Sequence, residues 1–253
     1  MSRRARLTLF AVSAAGLGVV LIYGFAGLPD FGNPHSIYAQ VVNGIGVSER
    51  HATDLITALN FDFRGFDTLG EEFILFASVI GIMVILRQLR DEGEDPRRHE
   101  ADEHSFAGAS EALRAFSLLL VPALIAVGVY IVVHGQITPG GGFQGGVILA
   151  AAPLAVFLAG RYLGMRVIAP HIVVELGDAL GAAGYALVGL GGLIFVGVFF
   201  KNFLPLGISG HLLSAGHIDI ASTAVGLEVS GAFLVAWSEF LDQAIVVKKG
   251  GEE

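Results

Sequence analysis

Long apolar runs separated by polar connections recur along the whole chain. Six of them approach the roughly 20 residues that an α-helix needs to cross a bilayer. They lie at about 7–28, 69–89, 113–133, 143–163, 172–200 and 220–240. The fifth run is too long for one straight crossing, and its glycines Gly189, Gly191 and Gly192 predict a tilt or a break within it. The pattern therefore predicts an all-α, polytopic transmembrane protein with about six spans.

The basic residues are distributed unevenly among the connections. Of the 15 Lys and Arg residues, only Arg50, Arg64 and Lys201 lie on one side of the six predicted helices. Because connections rich in Lys and Arg stay in the cytoplasm, both termini are predicted to be cytoplasmic. The first apolar run follows a basic start, as in a signal peptide. That run exceeds the usual length of about 7–15 residues, which favours a retained first helix.

An acidic segment without apolar periodicity divides the chain. It extends from Asp91 to Ser110, and charge-dense stretches of this kind usually remain solvated. We therefore expect a two-helix module at 1–92, a cytoplasmic linker at 93–110 and a four-helix module at 111–253. A fusion of two once-separate proteins would explain this division.

The composition supports a membrane protein and excludes several classes of function. Hydrophobic residues make up 54% of the chain and charged residues only 15%, with a mean hydropathy of +0.70. A soluble domain carries about a quarter charged residues. The chain has no cysteine, which excludes disulfides, thiol nucleophiles and thiolate metal sites. The net charge of −8 argues against a nucleic-acid partner.

The sharpest local motif is the glycine-rich segment 138–146. Three of its glycines formally match the GxGxxG pattern of dinucleotide-binding folds, but that interpretation requires a preceding β-strand, and apolar helices flank the segment here. Its proline ends one helical path, and its glycines permit a sharp turn and close helix contact. Two interpretations stay open: a tight packed turn, or a re-entrant element that lines a hydrated path. The residues of this structural motif are His134, Pro139, Gly141, Gly142, Phe143, Gly145 and Gly146.

Ionisable residues within the predicted spans are candidates for an ion path. Glu228 lies near the middle of the sixth run, where an unpaired acid costs about 2.5–3.5 kcal/mol, so it is predicted to face the bundle interior. Glu175 and Asp178 share one face of the fifth helix. They would form a polar patch with Glu228 if that face meets it. The alternative is that Glu175 and Asp178 are simply solvated near a helix end.

A dense mixture of aromatic, acidic and glycine residues precedes the second run, from Asn60 to Glu72. Its charges include Asp62, Arg64 and Asp67, and Arg64 can neutralise either aspartate. We interpret this cluster as a docking face for another protein of the membrane.

The sequence contains no arrangement that points to catalysis or to a bound cofactor. His134, His211 and His217 lie in connections and lack the spacing of metal ligands with nearby acids. No Ser/His/Asp arrangement is indicated by position. We therefore expect a protein that is not an enzyme and that has no metal and no cofactor.

Several segments resemble the Mrp-type multisubunit Na⁺/H⁺ antiporter family. The stretch from His134 to Ala152 looks like the signature of its B subunit. The resemblance covers about 110–245 and is carried further by 201–207, 213–216, 225–229 and 239–241. The family often has Thr-Ile-Pro where this chain has His217-Ile-Asp219. Through residues 62–71, the first module resembles the C-terminal extension of the large A-type protein, the part similar to the small E-type protein of membrane-bound hydrogenases.

This resemblance implies membership in a prokaryotic membrane complex that exchanges Na⁺ or Li⁺ for H⁺. Its partners would be large pumping subunits similar to those of respiratory complex I, together with small membrane subunits and the lipid bilayer. Carried over residue by residue, it implies functional roles for Glu71, Glu228, Pro139 and Phe143. One alternative is a structural membrane-arm subunit of a redox-driven, hydrogenase-type ion pump. Another is a free-standing transporter, which inverted repeats would support, and the sequence shows none.

Overall fold

The computed structural model describes residues 3–28, 37–87, 110–159 and 162–247, which are predominantly helical and contain no β-strand in these ranges. The chain divides into two compact units, Met1–Gln40 and Val41–Glu253. The first contains α1 (Arg3–Ala26) and the start of α2 (Ile37–Arg50). The second continues with α3 (Leu55–Ala58), a π-helical turn (Leu59–Phe63), α4 (Gly65–Arg87), α5 (Glu111–Val133), α6 (Gly142–Leu158), α7 (Tyr162–Ile168), α8 (His171–Val196) and α9 (Ile218–Val247).

Five of these helices are long and apolar enough to cross a membrane. Their apolar spans are Leu7–Ala26, Gly65–Leu86, Glu111–Val133, His171–Val196 and Ile218–Leu241. The remaining predicted span corresponds to α6, which is apolar but has 17 residues. The all-α, multi-span prediction is therefore confirmed, and the cytoplasmic placement of both termini stays a prediction. The linker predicted at 93–110 lies outside the described residues except for Ser110, whose hydroxyl caps α5 by accepting from the Leu113 N–H.

Two helix ends differ from the prediction. The fourth apolar run was expected to be helical to residue 163, but α6 ends at Leu158 and a separate short helix, α7, follows. In the fifth run, where Gly189, Gly191 and Gly192 predicted a tilt or a break, α8 is continuous as far as Val196, so there is no break and the tilt stays a prediction.

The end of α8 explains its glycines. Gly197 adopts a left-handed conformation, φ 79°, and ends the helix. The chain then folds back along the last turns, so that a Cβ at Gly189 would meet the Phe200 ring and one at Gly191 the Phe203 ring. Gly189 and Gly191 therefore make room for the returning aromatic side chains.

Helix α9 is the centre of the second unit and packs against α8, α6 and α4. Glycines allow these close approaches, as is common where van der Waals contact holds membrane helices together. Gly142 and Gly146 of α6 lie against the backbone of α9 at Gly226, whereas Gly145 lies against α5 at Gly128. The glycines of this motif thus permit close contact with two different helices, α9 and α5.

Residues 37–63, which precede α4, are largely helical as well, which the apolar pattern did not predict. The helices of this segment are short, and α2 is polar at its end, where Ser48, Glu49 and Arg50 follow one another. Asp54 caps α3 by accepting from the Ile56 N–H at 3.1 Å. The N–H groups of Thr53 and Asp54 donate to the Gln136 carbonyl. These bonds attach the segment to the glycine-rich turn of the second module.

Candidate functional site

Three acidic side chains from three different helices meet inside the second unit. Glu72 of α4 is 1% exposed, Asp178 of α8 is 4% exposed and Glu228 of α9 is fully buried. The carboxyl groups of Glu72 and Glu228 are close enough to interact, and the charge of Asp178 acts on both. This carboxyl cluster lies within the apolar spans of all three helices.

The carboxyl cluster is short of hydrogen-bond donors. Within the described part of the chain, no carboxyl oxygen of Glu72 or Glu228 has a hydrogen-bond partner, and neither does Asp178 Oδ1. Burying an ionised carboxylate without a partner is very costly, and two adjacent carboxylates cannot both stay ionised. The cluster therefore requires a proton or a cation between its members. Binding and releasing such an ion is what an ion path needs.

Close helix contact places these acids together. A Cβ at Gly181 of α8 would overlap the backbone of Glu228, and a Cβ at Gly231 of α9 would overlap the backbone of Asp178. The two glycines therefore bring α8 and α9 into direct backbone contact on both sides of the acids. The positions of Glu228 and Asp178 depend on this contact.

The structure assigns the predicted acids to different environments. Glu228 and Asp178 meet, which corresponds to the first of the two interpretations left open by the sequence. Glu71 does not join them, because its side chain is exposed on α4 and the adjacent Glu72 points inward instead. Glu175 also stays outside the cluster. Its side chain is 36% exposed and pairs with His171, one helical turn away, at 3.1 Å.

Tyr185 extends the polar region towards the start of α4. It lies seven residues after Asp178, on the same face of α8. Its ring is fully buried and its hydroxyl donates to the Gly65 carbonyl at 2.9 Å.

His217, immediately before α9, is a buried residue whose importance the sequence did not reveal. It is 0% exposed, and its Nε2 lies 3.0 Å from the Phe61 carbonyl oxygen, which can only accept, so this bond requires the proton on Nε2. Its Nδ1 lies 3.1 Å from the Asn202 side-chain oxygen. Burial lowers the pKa of His217, against the effects of the Phe61 carbonyl and of the Asp62 charge. The imidazole joins the π-helical turn to the loop before α9.

The predicted docking residues do not form one surface. The Asp62 side chain is 5% exposed and forms an ion pair with Arg50 at 2.9 Å, so it is largely buried within the chain. Burial raises the pKa of Asp62, and the neighbouring Arg50 charge opposes that shift. Arg64 does not neutralise Asp62. It pairs with Asp67, and both of these side chains are about half exposed.

The glycine-rich motif forms a tight turn with a well-ordered set of contacts. Gly140 and Gly141 have φ values of 157° and 114°, which side chains rarely adopt. Phe143 packs against the aromatic core around Tyr185, and His134 stacks on Tyr130 at 4.2 Å between ring centroids. Pro139 is exposed. These observations favour the tight packed turn over the re-entrant element.

A metal centre is not indicated by the described side chains. Among the residues of the described ranges, no group of three or more His, Asp or Glu side chains is arranged to hold a metal ion.

The Arg50–Asp62 pair leads to a testable prediction. Replacing Arg50 by Gln leaves the Asp62 carboxyl buried without its cation, and we expect a loss of about 2–3 kcal/mol in stability, reduced from the fully buried case because Arg50 is a quarter exposed. Arg64→Gln is the matched control and should cost less than about 1 kcal/mol. Thermal inactivation of the detergent-purified complex measures both. Equal effects of the two substitutions would contradict the assigned pairing.

Comparison with known proteins identifies the part of the chain that contains α5, α6, α8 and most of α9. Residues 112–235 match the family model described as "domain related to MnhB subunit of Na⁺/H⁺ antiporter". Residues 112–235, just under half of the chain, are similar to this domain and are called the MnhB-related domain. This family comprises antiporter subunits, which are transporters and not catalytic enzymes. Asp178 and Glu228 lie within the MnhB-related domain, whereas Glu72 lies before it.

Relatives extend the likeness beyond the MnhB-related domain. An uncharacterised protein from Methanocaldococcus jannaschii is 28% identical over 94% of this chain and 93% of its own length. The A/B subunit of a probable K⁺/H⁺ antiporter from Rhizobium meliloti is 25% identical over 62% of this chain, and the match spans 17% of that protein.

Two solved structures share the fold. A chain of the membrane-bound sulfane sulfur reductase, an archaeal respiratory membrane complex, has a TM-score of 0.69 and 28% identity, with 94% of this chain and 98% of that chain covered. A chain of the Mrp complex from Dietzia sp. DQ12-45-1b has a TM-score of 0.65 and 22% identity over 94% of this chain, a match to 26% of that chain. Together with the apolar spans, these matches identify a multi-pass protein of a prokaryotic membrane complex.

Proposed function

We propose that this chain is an accessory membrane subunit of a multisubunit monovalent cation/proton antiporter. The MnhB-related domain carries this proposal, because it contributes Asp178 and Glu228 to the buried carboxyl cluster. The chain has no catalytic activity of its own in this proposal. Its roles are assembly of the complex and a contribution to the cation or proton path.

The carboxyl cluster is the part of the chain suited to ion exchange. A proton or a monovalent cation can neutralise the neighbouring carboxyls of Glu72 and Glu228, and competition between the two ions for one site is the simplest basis for exchange. Asp178 adds a further negative charge nearby. The proposed ion site therefore consists of Glu72, Glu228 and Asp178. Glu71 and Glu175, which the sequence also suggested, are not part of it.

We further propose that two modules supply the site. The module at 1–92 supplies Glu72 and the module at 111–253 supplies Glu228 and Asp178, with the acidic linker at 93–110 between them. The R. meliloti protein and the Mrp chain are both much longer than this chain, and each matches it over only part of its length. These partial matches support the view that the same modules are joined to different neighbours in different proteins.

A second function has specific support. The sulfane sulfur reductase chain is matched over nearly its whole length at 28% identity, higher than the identity to the Mrp chain. A structural membrane-arm subunit of a redox-driven ion pump is therefore the alternative. Both functions place the chain in a membrane complex, and the partners distinguish them.

Purification in gentle detergent tests this proposal. A tagged full-length chain is isolated from its native membranes and the co-purifying proteins are identified by mass spectrometry. Recovery of large pumping subunits and small membrane subunits without redox proteins is the expected result. Recovery with iron–sulfur or hydrogenase-type subunits would establish the alternative, and recovery of the chain alone would contradict both.

A further inference from the structure

Helix α4 carries two adjacent carboxylates, of which one enters the cluster. Successive residues on an α-helix point about 100° apart. Glu72 is 1% exposed, whereas Glu71 is exposed. A rotation of α4 about its own axis by that angle would exchange the two glutamates, so something must fix the rotation.

Apolar packing alone does not fix the rotation of α4. Its exposed surface is as hydrophobic as its buried surface, with Phe66 and Ile74 each 69% exposed. Between membrane helices the hydrophobic effect gives no preference for burying one apolar face over another, because lipid tails are equally apolar. Directional polar contacts are therefore needed.

Such contacts concentrate at the start of α4. The Tyr185 hydroxyl of α8 donates to the Gly65 carbonyl at 2.9 Å, and His217 Nε2 donates to the Phe61 carbonyl at 3.0 Å. Thr68 donates to the Asn60 carbonyl at 2.8 Å. Gly65 also has no side chain where Phe200 packs, since a Cβ there would lie 2.8 Å from the ring. The missing side chain of Gly65 thus lets this first turn approach Phe200, in the loop after α8, closely.

Gly65 lies on the face of α4 that carries the inward-facing glutamate. Glu72 follows Gly65 by seven residues, two helical turns, and therefore lies on the same face of α4. Asp178 precedes Tyr185 by the same interval on α8. Helices α4 and α8 are antiparallel, so both contacts lie on the same α4–α8 interface, two helical turns apart: Tyr185 with Gly65, and Asp178 near Glu72.

We propose that Tyr185 is a positioning residue: its hydrogen bond to the Gly65 carbonyl, assisted by the His217 bond to Phe61, sets the rotation of α4 that presents Glu72 and not Glu71 to Glu228. The consequence for transport rests on the proposed function. The rotation itself does not, and it can be measured separately.

The absence of cysteine from the natural sequence makes that measurement direct. Val79 lies seven residues after Glu72 and packs in one buried cluster with Val235 of α9, whereas Ile80 is 43% exposed. The double variants V79C/V235C and I80C/V235C report the rotation while all glutamates remain. Each is made in the full chain, assembled into its complex and oxidised, and the cross-linked peptides are quantified by mass spectrometry.

With Tyr185 present, the 79–235 cross-link is expected to exceed the 80–235 cross-link by about tenfold. Tyr185→Phe keeps the ring between Phe61 and Phe200 but removes the hydroxyl, and should lower that ratio about fivefold. Tyr130→Phe, at an exposed tyrosine of α5, is the control and should leave the ratio unchanged.

If Tyr185→Phe leaves the ratio of the 79–235 to the 80–235 cross-link unchanged, the proposal is overturned. This holds also when the yields of both cross-links fall together, because a general loosening of the packing would have that effect without any rotation of α4. If Tyr185→Phe does not assemble, His217→Ala is measured in the same way, and its ratio must also fall. A lowered ratio in a complex whose Na⁺/H⁺ exchange is unchanged would support the positioning role and count against the proposed function.

Discussion

Replacing Glu228 by Gln is expected to reduce cation-driven proton exchange by about tenfold or more, with the complex still assembled. Glutamine has nearly the same shape, so the close backbone contact with Gly181 is preserved. It does not titrate and carries no negative charge that could be neutralised by a proton or a cation. Glu72→Gln should have a similar effect, because its carboxyl is close enough to interact with that of Glu228.

Glu71→Gln is the matched control for this prediction. The residue is adjacent to Glu72 on the same helix, but its side chain is exposed and takes no part in the cluster. Exchange in native membrane vesicles, normalised to the amount of assembled complex, should stay near the wild-type level. Wild-type exchange in Glu228→Gln, or an equal loss in Glu71→Gln, would contradict the assigned site.

Replacing Gly181 by Val is expected to lower the yield of assembled complex strongly, because most copies of the variant protein would fail to assemble. Its Cβ would overlap the Glu228 backbone, and a backbone cannot move aside as the end of a flexible side chain can. Overpacking of a close contact costs about 1–3 kcal/mol, and separating α8 from α9 also exposes the acids. The yield of assembled complex after mild solubilisation measures the effect.

The neighbouring Gly184 is the control. A Cβ there would meet the Ala224 Cβ at 3.4 Å, an ordinary contact, and alanine favours a helix over glycine by about 1 kcal/mol. Gly184→Ala should therefore assemble at least as well as the natural chain. Normal assembly of Gly181→Val would mean that the α8–α9 contact does not hold the cluster together.

The helices and one buried acid could be predicted from sequence because each depends on local composition. Apolar runs of sufficient length identify the spans, and the cost of an acid at membrane depth places Glu228 in the interior. The choice between Glu71 and Glu72 could not be made, because α4 is apolar on all sides and its periodicity indicates no inner face. The polar bonds that orient it come from residues more than a hundred positions away.

The segment before α4 was missed for a related reason. Its helices are short and partly polar, and they are held by contacts with distant loops, such as those of Thr53 with Ile137 and of His51 with Gly207. Asp62 looked like a surface charge because its partner, Arg50, lies on a different helix. The sequence contains both residues of the ion pair but no sign that the chain folds back to join them.

Ion exchange without electron transfer tests the central claim most directly. The purified complex is reconstituted into sealed vesicles that contain a pH-sensitive dye, and a Na⁺ or K⁺ gradient is imposed with no electron donor present. A role in cation/proton antiport predicts proton movement driven by the cation gradient alone, strongly reduced in Glu228→Gln. Proton movement that appears only after a reductant and an electron acceptor are added would contradict the antiporter and assign the chain to a redox-driven pump.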